Sequence, residues 1–146
     1  MHKKILALLF VLSFVPALGN EPLARAREGR NIEVGISAGY PVGAGMLIGY
    51  WGKPEFPLVA RLSTGVGTML DLGWGLTSED LDAYVGVSGG LIGYLGVYSK
   101  NQTFLGPTVG LRWKVFTISV GPSVMFVGGE PAVLRGAGQL TYSGFF

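Results

Sequence analysis

The sequence predicts an all-β fold, an eight-stranded antiparallel up-and-down transmembrane β-barrel over residues 31–146. Hydrophobic residues make up 49% of the chain and charged residues only 14%, against about a quarter in typical soluble domains. The most apolar mature stretch, 84–98, is rich in glycine, which disfavours a helix. Apolar and polar residues instead alternate with a period of two. A closed barrel is the non-helical structure that satisfies its backbone in lipid.

Residues 1–19 predict a cleaved signal peptide. Basic residues at 3–4 precede the apolar run 5–15, and Ala17-Leu18-Gly19 offers small residues for cleavage. The run is shorter than the roughly 20 residues of a membrane helix, and Pro16 would break its end. An uncleaved anchor is the alternative interpretation.

Loss of that segment changes the charge balance. Of 11 basic residues, two lie at 3–4, so the mature chain carries equal numbers of basic and acidic residues. Without a basic run it lacks the electrostatic footprint of a nucleic-acid-binding protein. The charge-dense segment 20–30 predicts a periplasmic tail, and the absence of cysteine excludes disulfides and cysteine metal cages.

The strands are placed by alternation and by the turn residues between them. In 31–40, Ile32, Val34 and Ile36 share one face, and Glu33 and Ser37 share the other. Turns are predicted at 41–43, 53–54, 67, 78–80, near 114 and at 128–131. Further strands are predicted at 57–66, 68–77, 81–90, 103–113, 115–127 and 132–146. Counting 91–100 separately would give nine strands, but bacterial single-chain barrels have even numbers. This segment is therefore merged with the fifth strand, and 93–102 is predicted to form its extension and the main extracellular loop.

Aromatic residues test this arrangement, because they should collect at the membrane–water boundaries. Five face outward by parity near the periplasmic ends of their strands: Tyr50, Trp74, Trp113, Tyr142 and Phe146. Tyr40 marks the opposite rim. The alternative, the aromatic core of a soluble β-sandwich, would require a polar outer face.

The end of the chain, Leu140-Thr141-Tyr142-Ser143-Gly144-Phe145-Phe146, resembles the terminal-strand signal of bacterial outer-membrane barrels. That signal finishes on Phe, with outward apolar residues at alternate positions. Gly144 departs from it, since a larger apolar residue is commoner there. The resemblance covers residues 31–146 at the level of OmpA- or OmpX-like architecture. It implies recognition by the barrel assembly machinery through the strand ending at Phe146.

An eight-stranded barrel is just wide enough for side chains to fill its interior. Parity places five charged residues inside: Glu33, Arg61, Asp71, Arg112 and Arg135. With a hairpin centred near Gly67, Arg61 and Asp71 lie about one diagonal step apart. Because an unpaired buried charge is very unfavourable, we expect a structural network of ion pairs. A catalytic carboxylate is the alternative.

Catalytic motifs are missing from the mature sequence. The one histidine of the chain lies at position 2, within the predicted signal peptide, and the chain has no cysteine, so Ser-His-Asp, Cys-His and His-metal sites are absent from the mature sequence. Outer-membrane lipid deacylases, palmitoyltransferases and aspartyl-type surface proteases resemble this architecture but rely on a histidine. Gly43-Ala44-Gly45 lacks the spacing and the following helix of a nucleotide-binding loop, and it predicts the start of a strand. We therefore expect no enzyme, cofactor or metal site.

Two prolines interrupt the sixth and seventh strands at Gly106-Pro107 and Gly121-Pro122. Proline cannot donate a ladder hydrogen bond, and around a turn near 114–115 the two lie at nearly the same height. One interpretation is a lateral seam through which a lipid acyl chain reaches the interior. The other is a paired bulge or kink that curves the wall.

The sequence as a whole predicts a monomeric, non-enzymatic barrel in the outer membrane of a Gram-negative cell, in contact with outer-membrane lipids. Its role would be structural, or binding through the loop near Tyr98–Gln102 or an apolar interior. The alternatives are a barrel that handles lipid or another hydrophobic ligand, a porin-like narrow channel, and a histidine-free enzyme using Glu33, Asp71 or serines.

Overall fold

The computed structural model describes residues 29–77, 81–93 and 101–146, and in it eight antiparallel strands close into a barrel. This confirms the prediction of an all-β, eight-stranded antiparallel barrel. The predicted signal peptide, most of the tail, the turn at 78–80 and most of the loop at 93–102 lie outside these residues. The strands are β1 (Ile32–Tyr40), β2 (Gly43–Trp51), β3 (Leu58–Thr64), β4 (Gly67–Thr77), β5 (Asp82–Ile92), β6 (Gln102–Trp113), β7 (Phe116–Val127) and β8 (Val133–Phe145).

Each strand pairs with its neighbours in sequence, and β8 pairs with β1 to close the wall. Within the described ranges, no helix has the length and apolar character needed to cross a membrane. The start of β1, the end of β8 and the 114–115 turn mark one end of the barrel, which we call the terminal end. The turns at 41–42 and 65–66 mark the far end.

Alternation along the strands sorts the side chains as their sequence pattern predicts. In β7, Thr117, Ser119 and Ser123 are buried, whereas Ile118 and Val120 are about half exposed. Large apolar side chains thus cover the outside of the wall and small polar ones line the inside. This is the reverse of a soluble barrel.

The strands are staggered around the barrel. On one side Gly35 pairs directly with Ser143 of β8. Successive pairing partners can also be followed from Gly35 in the other direction, through β2 to β7. This path ends at Val133 of β8 and passes through Leu47, Ser63, Met69, Gly90, Phe104 and Met125. The two routes reach positions on β8 that are 10 residues apart. Such a stagger requires strands tilted from the barrel axis, typically by about 35–45°.

The register corrects one predicted detail. Thr64 pairs with Thr68, so the β3–β4 hairpin is centred on Val66 and not on Gly67. Arg61 and Asp71 are consequently direct partners across the hairpin, without the predicted diagonal offset.

The filled interior has three layers. Toward the terminal end lies a charged layer around Glu33, Arg61 and Arg112. Above it lies a hydroxyl layer of buried polar residues: Ser37, Ser63, Ser88, Thr108, Ser119, Ser123 and Gln139. Toward the far end, an apolar cap closes the interior, formed by Val42, Met69, Ile92, Phe104 and Met125.

Candidate functional site

Glu33 is the centre of the charged layer, and its carboxylate is fully buried. Its Oε2 accepts hydrogen bonds from Trp51 Nε1 at 2.8 Å and from Arg61 Nε at 2.9 Å. Its Oε1 accepts from Arg112 Nη1 at 2.6 Å and from the Ser143 hydroxyl. Two guanidinium groups and two neutral donors therefore surround one carboxylate, which satisfies a charge that burial would otherwise destabilise.

Arg61 joins Glu33 to a second carboxylate, that of Asp71. Its Nη1 donates to Tyr84 Oη at 3.2 Å and lies 3.7 Å from Asp71 Oδ2. Tyr84 Oη in turn donates to Asp71 Oδ2 at 2.8 Å. The remaining Nη2 donates to Thr141 Oγ1 at 3.0 Å. Arg61 of β3 is thus fixed by side chains from four other strands of the wall, β1, β4, β5 and β8.

Arg112 is held from β7 and β8 as well as by Glu33. Its Nη1 lies 2.7 Å from Ser143 Oγ and 3.2 Å from Thr117 Oγ1, and its Nη2 donates to the Ser143 carbonyl at 3.1 Å. The guanidinium carbon lies 4.3 Å from the centre of the Phe145 ring, a cation–π geometry.

Aromatic rings pack around these charges toward the terminal end. Trp51 makes edge-to-face contacts with Tyr84, at 5.6 Å between ring centres, and with Phe145, at 6.3 Å. With Val59 they form a buried apolar cluster. The rings exclude water from the ion pairs, and this strengthens each electrostatic interaction.

Inward-facing glycines provide the space that these large side chains occupy. A Cβ atom at Gly110 would collide with the Tyr84 ring, and one at Gly49 would lie 2.8 Å from Glu33 Oε2 and 3.2 Å from Arg61 Cγ. The high glycine content of the sequence therefore has a packing role inside the barrel, beside its effect on strand bending.

Four of the five charged residues assigned to the interior meet in this layer: Glu33, Arg61, Asp71 and Arg112. Arg135 does not join them, because it is exposed. Arg135 pairs with Ser123, which is buried, so Arg135 lies on the inward side of β8 as predicted. However, pairing between β8 and β1 stops at Gly138, opposite Tyr40. The first residues of β8 extend beyond the closed wall, and this places Arg135 above the interior.

Sequence reasoning missed several members of the layer. Trp51, Tyr84 and Phe145 are buried, as is Asp82. Each lies at an inward position by the same alternation that identified Glu33. Parity would have found the three rings if aromatic residues had been considered for the interior as well as for the membrane boundary, and it would have found Asp82 if it had been applied to the fifth strand.

The aromatic residues assigned to the membrane boundary lie on the outer face. Exposure is 38% for Tyr50, 48% for Trp74, 58% for Trp113 and 60% for Phe146, and Tyr142 is partly exposed. Tyr142 contacts Phe116 at 5.5 Å between ring centres. Lys114 Nζ, in the adjoining turn, lies 5.2 Å from the centre of the Trp113 ring.

The two prolines lie directly opposite each other in the register between β6 and β7. Paired residues run up to Leu105 and Val124 and resume at Val109 and Val120, with three residues of each strand between them. Equal numbers on the two strands exclude a bulge, in which two residues oppose one. The structure therefore has an interrupted ladder without a shift in register.

A small cavity lies behind this interruption. Its volume is about 10 Å³, which is room for a single water molecule. It lies in the hydroxyl layer and is lined by Met69, Ser88, Pro107, Thr108, Ser119, Gly121, Ser123, Ala137 and Gly138.

Comparisons with protein families, with curated proteins and with solved structures found no match to this chain. The fold and the interior thus define a class only: a closed eight-stranded β-barrel filled by side chains. Within it, Glu33 has four donors and the guanidinium groups contact its two oxygens. These donors come from β2, β3, β6 and β8, so the Glu33 carboxylate links five strands of the wall.

Proposed function

We propose that the chain is a monomeric transmembrane barrel of the bacterial outer membrane, with a structural or binding role and no catalytic activity. Its terminal end faces the periplasm, and the barrel assembly machinery recognises the strand that ends at Phe146. No cofactor, metal or nucleic acid takes part in this role.

The outer face of the barrel carries the proposal. Along the described strands every outward position is apolar, small or uncharged, and none holds a charged residue. Met46, Leu105 and Leu134 are 67%, 59% and 70% exposed. The exposed apolar patches of soluble monomers rarely exceed a few hundred Å², whereas here the apolar surface surrounds the whole wall. Lipid is the solvent that such a surface matches.

The filled interior supports a structural or binding role in preference to transport. In the part of the chain that the structure describes, the charged layer and the apolar cap fill the two ends of the interior, and a cavity between them holds about 10 Å³. Binding would then involve the far end and the outer wall. Arg135 and Glu130 are exposed on the β7–β8 hairpin at this end.

The test is expression of the full chain in a Gram-negative host, followed by fractionation and gel electrophoresis of unheated and boiled samples. We expect the mature protein in the outer membrane and a mobility that changes on boiling, because a closed barrel resists SDS until heated. A soluble periplasmic protein without that shift would contradict the proposal.

The interrupted β6–β7 ladder favours a second candidate, a barrel that handles lipid or another hydrophobic ligand with lateral access near Pro107 and Pro122. The wall lacks ladder pairs there, and the cavity lies directly behind. Since the cavity admits only a water-sized group, an acyl chain could enter only if the two strands separated.

The double variant Pro107→Val, Pro122→Val tests this candidate by supplying both missing N–H donors. Both prolines are exposed on the outer face, so valine fits there without contact inside. If the seam admits lipid, binding of a spin-labelled fatty acid should fall in the double variant. Unchanged binding by a folded variant would exclude lateral access.

A further inference from the structure

We propose that one water molecule is bound behind the proline pair, where it hydrogen-bonds to the Pro107 carbonyl and the Ser123 hydroxyl. It partly replaces the two main-chain hydrogen bonds that the prolines cannot make. This site does not depend on the protein's location or on either proposed function.

The direction of the proline carbonyls is the first step. A Cβ atom at Gly121 would collide with the carbonyl oxygen of Pro107, and one at Gly106 would collide with that of Pro122. Each proline therefore points its carbonyl across the seam at the opposite strand. Residues that face each other in this way normally exchange two N–H···O bonds.

Both of those bonds are missing here. Proline has no N–H, so neither carbonyl receives its ladder hydrogen bond. A main-chain carbonyl held away from water without a donor is unfavourable by an amount comparable to a lost hydrogen bond. A donor that reaches the seam from inside the wall would therefore be stabilising.

The cavity supplies a place for such a donor. Pro107 and Gly121 form its wall at the seam, and Ser88, Thr108, Ser119 and Ser123 contribute hydroxyl-bearing side chains. A buried water needs such a polar site with two to four hydrogen-bonding partners, and about 10 Å³ of accessible volume is enough to hold it.

Ser123 identifies the second partner. Its side chain is 2% exposed, and its Oγ has no hydrogen-bond partner among the described residues. A water that donates one hydrogen to the Pro107 carbonyl can accept from or donate to this hydroxyl. Ser37 Oγ is also buried without a partner in the described part of the chain, but Ser37 does not line the cavity. It provides a matched control.

The test is a crystal structure of the full-length mature protein at a resolution that shows ordered waters. We expect a density peak within about 3.2 Å of both the Pro107 oxygen and Ser123 Oγ. The peak should disappear in Ser123→Val, which removes the hydroxyl and fills the space, and persist in Ser37→Ala.

Two results would overturn the proposal: no peak in the wild-type protein where other buried waters are visible, or a peak that persists in Ser123→Val. If that variant does not fold, as judged by its electrophoretic mobility before and after boiling, Ser123→Ala replaces it, because it adds no atoms. Loss of the peak is expected there too, and an unchanged peak would count against the site.

Discussion

Glu33 is the residue on which both buried arginines depend. Arg61 and Arg112 contact different oxygens of its carboxylate, and all three side chains are at most 1% exposed. Removal of the negative charge leaves two guanidinium groups in the interior with their main counter-ion gone. Loss of one partner of a buried ion pair is strongly destabilising, because the other charge stays buried.

We therefore expect Glu33→Gln to lower the free energy of unfolding by about 3–5 kcal/mol. Urea unfolding in detergent micelles, followed by tryptophan fluorescence, measures the change. Glu55→Gln is the control, because Glu55 is exposed in the β2–β3 turn. Equal stability of the two variants would mean that the charged layer does not hold the strands together.

Gly110 leaves the space that the Tyr84 ring occupies. A Cβ atom there would collide with Cε1, Cζ and Cδ1 of Tyr84, whose hydroxyl connects Arg61 to Asp71. We expect Gly110→Ala to destabilise the barrel by roughly 1–3 kcal/mol, as overpacking of a dense core does. The same unfolding experiment measures it.

Gly136→Ala is the matched control for that substitution. Gly136 also lies in a strand, but a Cβ there would meet nothing within 4 Å. The free energy of unfolding of the Gly136→Ala variant should stay within about 0.5 kcal/mol of the wild-type value. If both glycine variants lose the same stability, strand propensity and not contact with Tyr84 accounts for the effect.

Individual residues were predictable where parity alone decides their position. Glu33, Arg61, Asp71 and Arg112 follow from alternation, because each lies within the closed part of the wall. Arg135 did not follow, since its environment depends on the stagger between β8 and β1. A stagger is a property of the closed register, and no single strand's sequence contains it.

Among elements, the start of β8 has one edge that no other described strand covers. The Gly138 carbonyl points toward Gly39 of β1, and alternate residues of a strand share an edge. Leu134 and Gly136 therefore direct their main-chain groups to the side where β1 has already ended. Arg135 and Ala137 direct theirs to β7.

Amide hydrogen exchange should report this edge. We expect fast exchange at Leu134 and Gly136 and slow exchange at Arg135 and Ala137, measured by NMR of the protein in micelles. Leu140 and Tyr142 are the internal control, because they share the edge of Leu134 but pair with Ala38 and Ile36 of β1. Uniform protection from 134 to 137 would show that another chain segment covers the edge.

The strands themselves were largely predictable. Their alternation and turn residues give the strands that pair in the structure. Where bounds were predicted, the ends differ by at most two residues, as in β3 and β8. The sequence shows that Pro107 and Pro122 interrupt their strands, but it does not show the geometry of the interruption. Whether it is a bulge or a gap depends on the residues that pair on either side of it, which only the register supplies.

At the scale of the whole molecule, the outer wall predicts where a charge is tolerated. Leu72 lies at the centre of β4 and is 42% exposed on the outer face. In a membrane-spanning barrel, lysine at mid-membrane destabilises by about 2–4 kcal/mol. We expect Leu72→Lys to reduce the amount of heat-modifiable protein in the outer membrane.

Gly128→Lys is the control, because Gly128 is exposed in the β7–β8 turn and has open space around it. It should leave the amount of protein unchanged. If Leu72→Lys is as well tolerated as the control, water and not lipid surrounds the wall.

Closure of the barrel has a consequence for its assembly. Glu33 on the first strand receives a hydrogen bond from Ser143 on the last, 110 positions along the chain. Until the last strand docks, Arg112 also lacks Ser143 as a partner. A partly built barrel thus carries charged groups with missing hydrogen-bond partners on its concave side, a penalty that ends only when the final seam joins. The interior in this way makes the unfinished intermediate unstable relative to the complete barrel and favours all-or-none completion.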